Sequence, residues 1–106
     1  MPLHNRDVAE MFNKVADLLD IKGANQFRVR SYRNAAQTIA GLSGNVSDMV
    51  SQGEDLTELP GIGKDLAGKI REIVETGTLR QLAELEEEVA PDLRTLLQLS
   101  NLGPKR

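Results

Sequence analysis

The sequence contains no cysteine and no tryptophan, and its one histidine, His4, lies close to the amino terminus. Without thiols there are no disulfides and no thiolate-bound metals, and a lone solvated imidazole cannot build a zinc site. Phe12, Phe27 and Tyr32 are the only aromatic rings, so the core has to be aliphatic. No apolar run reaches the roughly 20 residues of a membrane helix, and the amino terminus lacks the shape of a secretory signal. A soluble cytoplasmic protein with no membrane partner is the expectation. An excess of positive charge is missing as well, since the formal net charge is −3.

What is present is helical periodicity. A chain of 106 residues makes one compact domain and cannot supply two independent cores. Val8, Met11, Phe12, Val15, Leu18 and Leu19 recur at three and four, which predicts a first helix over 5–21. Asn5 is expected to cap it, Asp7 to sit in its first turn, and Gly23 to end it. Tyr32, Ala35, Ala36, Ile39 and Ala40 predict a second helix over 25–41. Short helices are expected around 46–51, stopped by Gly53, and over 54–59. Leu66, Ala67, Ile70, Ile73 and Val74 predict a helix over 64–76 with Gly77 just beyond its end. Thr78 and Gln81 have the spacing of a capping box for the next helix, which runs through Leu79, Leu82 and Leu85, and Pro91 opens a last one. The expected fold is all-α, a compact bundle of four main helices plus short helices.

The charge is unevenly placed. Residues 21–47 carry Lys22, Arg28, Arg30 and Arg33 and no acid, a local charge of +4; residues 83–92 carry five acids and no base. One basic and one acidic face are expected. Arg28, Arg30 and Arg33 cannot all face a core, and arginines interleaved with Phe27 and Tyr32 suit backbone contact plus stacking on a nucleic acid. Both rings also read as core residues.

The stretch Leu59-Pro60-Gly61-Ile62-Gly63-Lys64 lies between two helical patterns and organises the rest. Pro60 stops what precedes it, Ile62 can plug the core, and Gly61 and Gly63 let the backbone approach another surface closely. The helix that follows starts with N–H groups lacking intrahelical partners, beside Lys64, which suits a phosphate oxygen. A helix-hairpin-helix at about 54–76 that holds the DNA backbone without reading bases is the reading. Lys69, on the residues alone, is an ordinary exposed helix lysine. The tail from Leu99 to Arg106 echoes the hairpin phrase, so residues 1–98 are expected to form the helical DNA-binding domain and 99–106 the start of a truncated second hairpin of a longer protein.

The phrases Asn25-Gln26-Phe27-Arg28-Val29-Arg30-Ser31-Tyr32-Arg33, Leu59 to Lys64 through Lys69-Ile70, Glu75-Thr76-Gly77-Thr78-Leu79 and the closing Leu-Gly-Pro-Lys carry a resemblance over essentially the whole chain. It resembles the amino-terminal domain of family X DNA polymerases, most closely the bacterial type with a carboxy-terminal PHP phosphoesterase domain. The resemblance implies a domain that binds gapped or nicked DNA at its downstream 5′-phosphate, in cis to the rest of the polymerase, as a nucleoid-associated monomer. The Schiff-base lysine of the members that remove 5′-deoxyribose phosphate falls on Lys69, with their tyrosine on Tyr32 and the adjacent arginine on Arg33. A 5′-phosphate lysine falls on Arg28, and a residue that stacks on the template on Phe27. The DNA-binding set is thus Phe27, Arg28, Arg30, Arg33, Gly61, Ile62, Gly63, Lys64 and Lys69. The backbone carbonyls of Thr57, Leu59 and Ile62 would hold a monovalent cation, Na+ or K+. Mg2+ would serve only a polymerase domain outside this chain, since no triad of carboxylates for nucleotidyl transfer is present here. Two departures stand out. A second phosphate-binding lysine falls on Asp65 and basic residues before the hairpin on Thr57 and Glu58, while Ser100-Asn101 replace the Pro-Gly expected in the second hairpin. The alternatives are a non-catalytic helix-hairpin-helix docking module for DNA or protein, and a purely structural helical domain.

Overall fold

A computed structural model of the chain describes residues 4–89. Five elements follow in order: α1 (Asn5–Ile21), α2 (Gln26–Ala40), α3 (Val46–Ser51), a 3-10 turn (Leu56–Glu58) and α4 (Lys64–Thr76). Residues 80–89 are also helical, here α5, and no strand occurs among the described residues. The all-α expectation holds, with helix bounds close to those the periodicity predicts. The helix expected from Pro91 and the second hairpin at 99–106 lie outside the described residues.

The core is built on α1 and α2, which make the most extensive helix–helix contact. Val8, Phe12, Val15 and Leu19 of α1 meet Val29, Tyr32, Ala36 and Ile39 of α2, all of them buried. Ala35 and Ala36 carry only a methyl group, so the two helices pack closely at that level. The Phe12 and Tyr32 rings lie 5.9 Å apart at an interplanar angle of 60°, a tilted pair that is favourable for the ring quadrupoles. Val46, Leu56, Ile62, Ile70 and Ile73 join this cluster from the hairpin side, and Leu79, Leu82, Leu85 and Val89 from α5. Removing a fully buried aliphatic group such as Ile70 would cost about 2–5 kcal/mol.

Two helix starts differ from the sequence-based expectation. The cap position of α1 is His4, whose N–H donates to the Asp7 carboxylate at 3.0 Å, so Asn5 is the first helical residue and not the cap. The Asn5 amide instead reaches across the fold: it donates to the Gly44 carbonyl and accepts from the Val46 N–H, each at 2.7 Å. Thr78 does not cap α5 either. The Arg80 N–H donates to the Glu72 carboxylate at 2.6 Å, so an acid on α4 does that work, and Gln81 accepts from the Tyr32 hydroxyl at 3.1 Å. In both cases the side chain expected to cap is not used: Asn5 finds partners across the fold while the α1 cap bond goes to Asp7, and α5 takes its acceptor from another helix.

α4 ends as expected. Gly77 takes φ 80°, a left-handed conformation that favours glycine, and its N–H donates to the Ile73 carbonyl.

Candidate nucleic-acid interface

The hairpin between the 3-10 turn and α4 has a physical basis in four residues. Pro60 and Gly61 occupy the centre of a tight turn. Gly61 takes φ 77°, and the Ile62 N–H donates to the Leu59 carbonyl at 3.1 Å, the signature of a type II turn. Ile62 then points inward and is only 3% exposed. The Thr38 hydroxyl on α2 donates to the Pro60 carbonyl at 2.9 Å and fastens the turn to the bundle. Nothing in the local sequence announces Thr38, which is 22 residues away.

Gly63 is the cap residue of α4, in extended backbone, and no side chain caps the helix. The other helix starts of this part of the fold are supplied: Asn25 accepts from Phe27 N–H, Asn45 from Ser47 N–H and Asp55 from Thr57 N–H. At the start of α4 the first intrahelical donor is Ala67, whose N–H reaches the Gly63 carbonyl at 2.8 Å. The N–H groups of Lys64, Asp65 and Leu66 have no acceptor among the described residues. A methyl group at Gly63 would meet no protein atom within 4 Å, and its φ of −92° is open to any residue. The fold therefore does not require a glycine there; a ligand approaching the backbone would.

That helix start opens on a groove of about 360 Å³. Phe27, Arg28, Ser31 and Tyr32 of α2 form one wall, and Gly61, Gly63, Lys64, Asp65 and Leu66 the other. Phe27 is 75% exposed, an unusual state for a large apolar ring in a protein with only three aromatics. Tyr32 is buried, and its hydroxyl is bound to Gln81. The groove thus brings together Phe27, Arg28, Tyr32, Gly61, Gly63 and Lys64 of the sequence-predicted set.

It does not gather the rest. Arg30 is exposed on α2 and Ile62 is in the core. Arg33 donates to Asp17 at 3.0 Å, and Lys22 is paired with Glu88. The expected separation into one basic and one acidic face is therefore only partly realised, because acids of α1 and of the acidic run come back to two of the four cations. Lys69 is largely covered, its side chain 20% exposed, and its amine lies 3.5 Å from the Asp65 carboxylate one turn earlier. That contact was readable from the i, i+4 spacing of the two residues.

The carbonyls expected to hold a monovalent cation can be tested against the turn. Leu59 keeps a lone pair beyond its bond to Ile62. Three residues after Thr57 stands Pro60, which has no N–H to offer. The Thr57 and Ile62 carbonyls accept no hydrogen bond among the described residues. All three residues thus keep carbonyl oxygen lone pairs free, the donor type that hard cations take. No cluster of three or more His, Cys, Asp or Glu side chains occurs among the described residues, and no described helix is long and apolar enough to cross a membrane.

The chain belongs to the helix-hairpin-helix domain family, whose model matches residues 3–79, and a second model, the SAM-like helix-hairpin-helix tandem, matches residues 53–106. As a class it is a helix-hairpin-helix DNA-binding domain. One similar protein is the DNA polymerase/3′-5′ exonuclease PolX of Bacillus subtilis, 32% identical over 104 residues, a match covering 98% of this chain. The chain spans 18% of that relative's length.

Proposed function

We propose that this domain binds gapped or nicked DNA for a family X polymerase, seating the downstream 5′-phosphate at the start of α4. The observation that carries the reading is Gly63: a residue without a side chain, where the fold needs none, at a helix start that no side chain caps. A phosphate oxygen there accepts from free backbone N–H groups and gains from the helix dipole. Lys64 and Arg28 supply charge from the two walls of the groove, and the exposed Phe27 ring offers a stacking surface for a base at the gap. No base edge is read, so affinity follows backbone geometry and falls steeply with salt. A Na+ or K+ ion on the Thr57, Leu59 and Ile62 carbonyls would add positive charge beside the same strand. In this reading the domain acts as a monomer, in cis to a polymerase domain that carries its own Mg2+, in a cytoplasmic, nucleoid-associated setting.

Lyase chemistry at Lys69 belongs to the same proposal as a secondary activity. The free amine would attack the C1′ aldehyde of a ring-opened abasic sugar and expel water as the imine forms. Loss of the C2′ proton then breaks the C3′–O bond and releases the 3′ strand as a phosphate. Tyr32, buried in the groove wall, would support the sugar. Asp65 opposes this role, since its carboxylate engages the amine, so the docking reading without catalysis has a specific observation in its favour.

Fluorescence anisotropy on a gapped duplex with and without the 5′-phosphate tests the binding reading. Tighter binding of the phosphorylated gap, abolished by Lys64→Ala together with Arg28→Ala, is expected; equal affinity for both duplexes would refute it. Borohydride trapping on an incised abasic site tests the lyase part. An adduct that disappears in Lys69→Ala supports it, and no adduct leaves a positioning domain.

A further inference from the structure

A second groove of about 390 Å³ lies on the other side of Lys64, lined by Asp55, Thr57, Lys64, Ala67 and Arg71. Lys64 is therefore common to both grooves. Lys64, Ala67 and Arg71 follow one another at three and four on α4 and so share one face. Ala67 is 1% exposed, which leaves a low floor between the two cations. Lys64 and Arg71 are both exposed. Seven residues of α-helix separate them by about 10 Å along the axis, a length over which one strand of duplex DNA presents about three phosphates.

We infer that Arg71 and Lys64 form a second phosphodiester site, which carries the DNA strand along α4 away from the end held at Gly63. This rests on the reading of the domain as a DNA-backbone binder, and it does not depend on a preference for a 5′-phosphate. Lys64 is the pivot between the two sites. Arg71 touches only internal phosphates of the continuing strand, which every DNA end shares. Asp55 sets the limit on this site. Its carboxylate accepts from the Thr57 hydroxyl at 2.6 Å and the Thr57 N–H at 3.0 Å. Those bonds, with the Arg71 charge as a smaller influence, hold it below the usual carboxylate range. It therefore stays negative while Arg71 is engaged, repels an approaching phosphate and keeps the site moderate in strength.

The test uses Arg71→Gln in the full 106-residue chain, with affinity measured over a series of salt concentrations on gapped DNA with and without the 5′-phosphate. Loss of one phosphate contact lowers the slope of log K against log salt by about 0.9. We expect that fall on both duplexes, with the ratio between them unchanged. Asp55→Asn, which keeps an acceptor for the Thr57 N–H, should strengthen both complexes. An unchanged slope in a variant with wild-type circular dichroism overturns the inference, and so does a loss confined to the phosphorylated duplex. A wild-type domain that binds both duplexes equally refutes the 5′-phosphate reading and leaves this test intact.

Discussion

The starts of α2 and α4 face the same groove and are built in opposite ways. α2 is closed on itself: Asn25 accepts from the Phe27 N–H at 2.6 Å, its first turn has no acid, and it offers the groove side chains, Phe27 and Arg28. α4 is left open: Gly63 caps it with nothing, and it offers the groove its backbone, with Lys64 and Asp65 on either side of the charge balance. A helix end that is satisfied internally is good for stability and mute toward ligands. One that is left unsatisfied in water costs little while water fills it and becomes a binding surface when an anion replaces the water.

The sharpest way to break this contrast is to close α4. Gly63→Asp places an acceptor where the extended backbone already suits a cap. Stability should rise by a few tenths of a kcal/mol, seen as a small gain in Tm, while affinity for the 5′-phosphorylated gap drops at least about tenfold, some 1.4 kcal/mol. A variant that gains stability and keeps its affinity would show that the bare helix start is not the site. The converse change, Asn25→Ala, opens α2. It should cost about 1 kcal/mol in denaturant unfolding and leave the 5′-phosphate preference of the folded protein alone. Asp65→Asn tests the charge balance. It removes a pair that is worth about 0.3–0.5 kcal/mol on a helix surface, releases Lys69, and should tighten the phosphorylated gap and raise borohydride trapping. The smallest effect concerns Asp55, whose carboxyl is held below its ordinary range first by the Thr57 hydroxyl, then by the Thr57 N–H. A group whose folded value is depressed contributes stability at pH above its unfolded value and loses it as pH falls through the folded one. Acid titration of stability should therefore be slightly shallower in Asp55→Asn than in the wild type.

The parts of this molecule that depend on neighbours in sequence were legible without coordinates. The spacing of Leu66, Ala67, Ile70 and Ile73 with Gly63 before and Gly77 after marks α4 to the residue, and Gly53 stops α3. The turn at Pro60-Gly61 follows from proline's fixed φ and glycine's access to φ 77°. The parts that depend on the return of distant chain were not. Arg33 reads as a free cation until α1 brings Asp17 beside it, and Lys22 until α5 brings Glu88. Asn5 reads as a cap until Gly44 and Val46 come within reach of its amide. Phe27 was ambiguous for the same reason. An apolar ring in a helix is core or surface according to which way the whole helix is rolled, and here Val29, Tyr32 and Ala36 set that roll.

The open start of α4 has one more consequence, in the time domain. The amide protons of Lys64 and Asp65 lack acceptors, so in the free domain they should exchange with solvent deuterium at nearly unprotected rates. The amide of Ala67, bonded to Gly63 at 2.8 Å, should exchange only when the helix opens. An anion seated on the first two would slow them and leave the third as it was. Three neighbouring residues thus act as an occupancy meter and its internal standard, readable by hydrogen exchange without any label on the DNA.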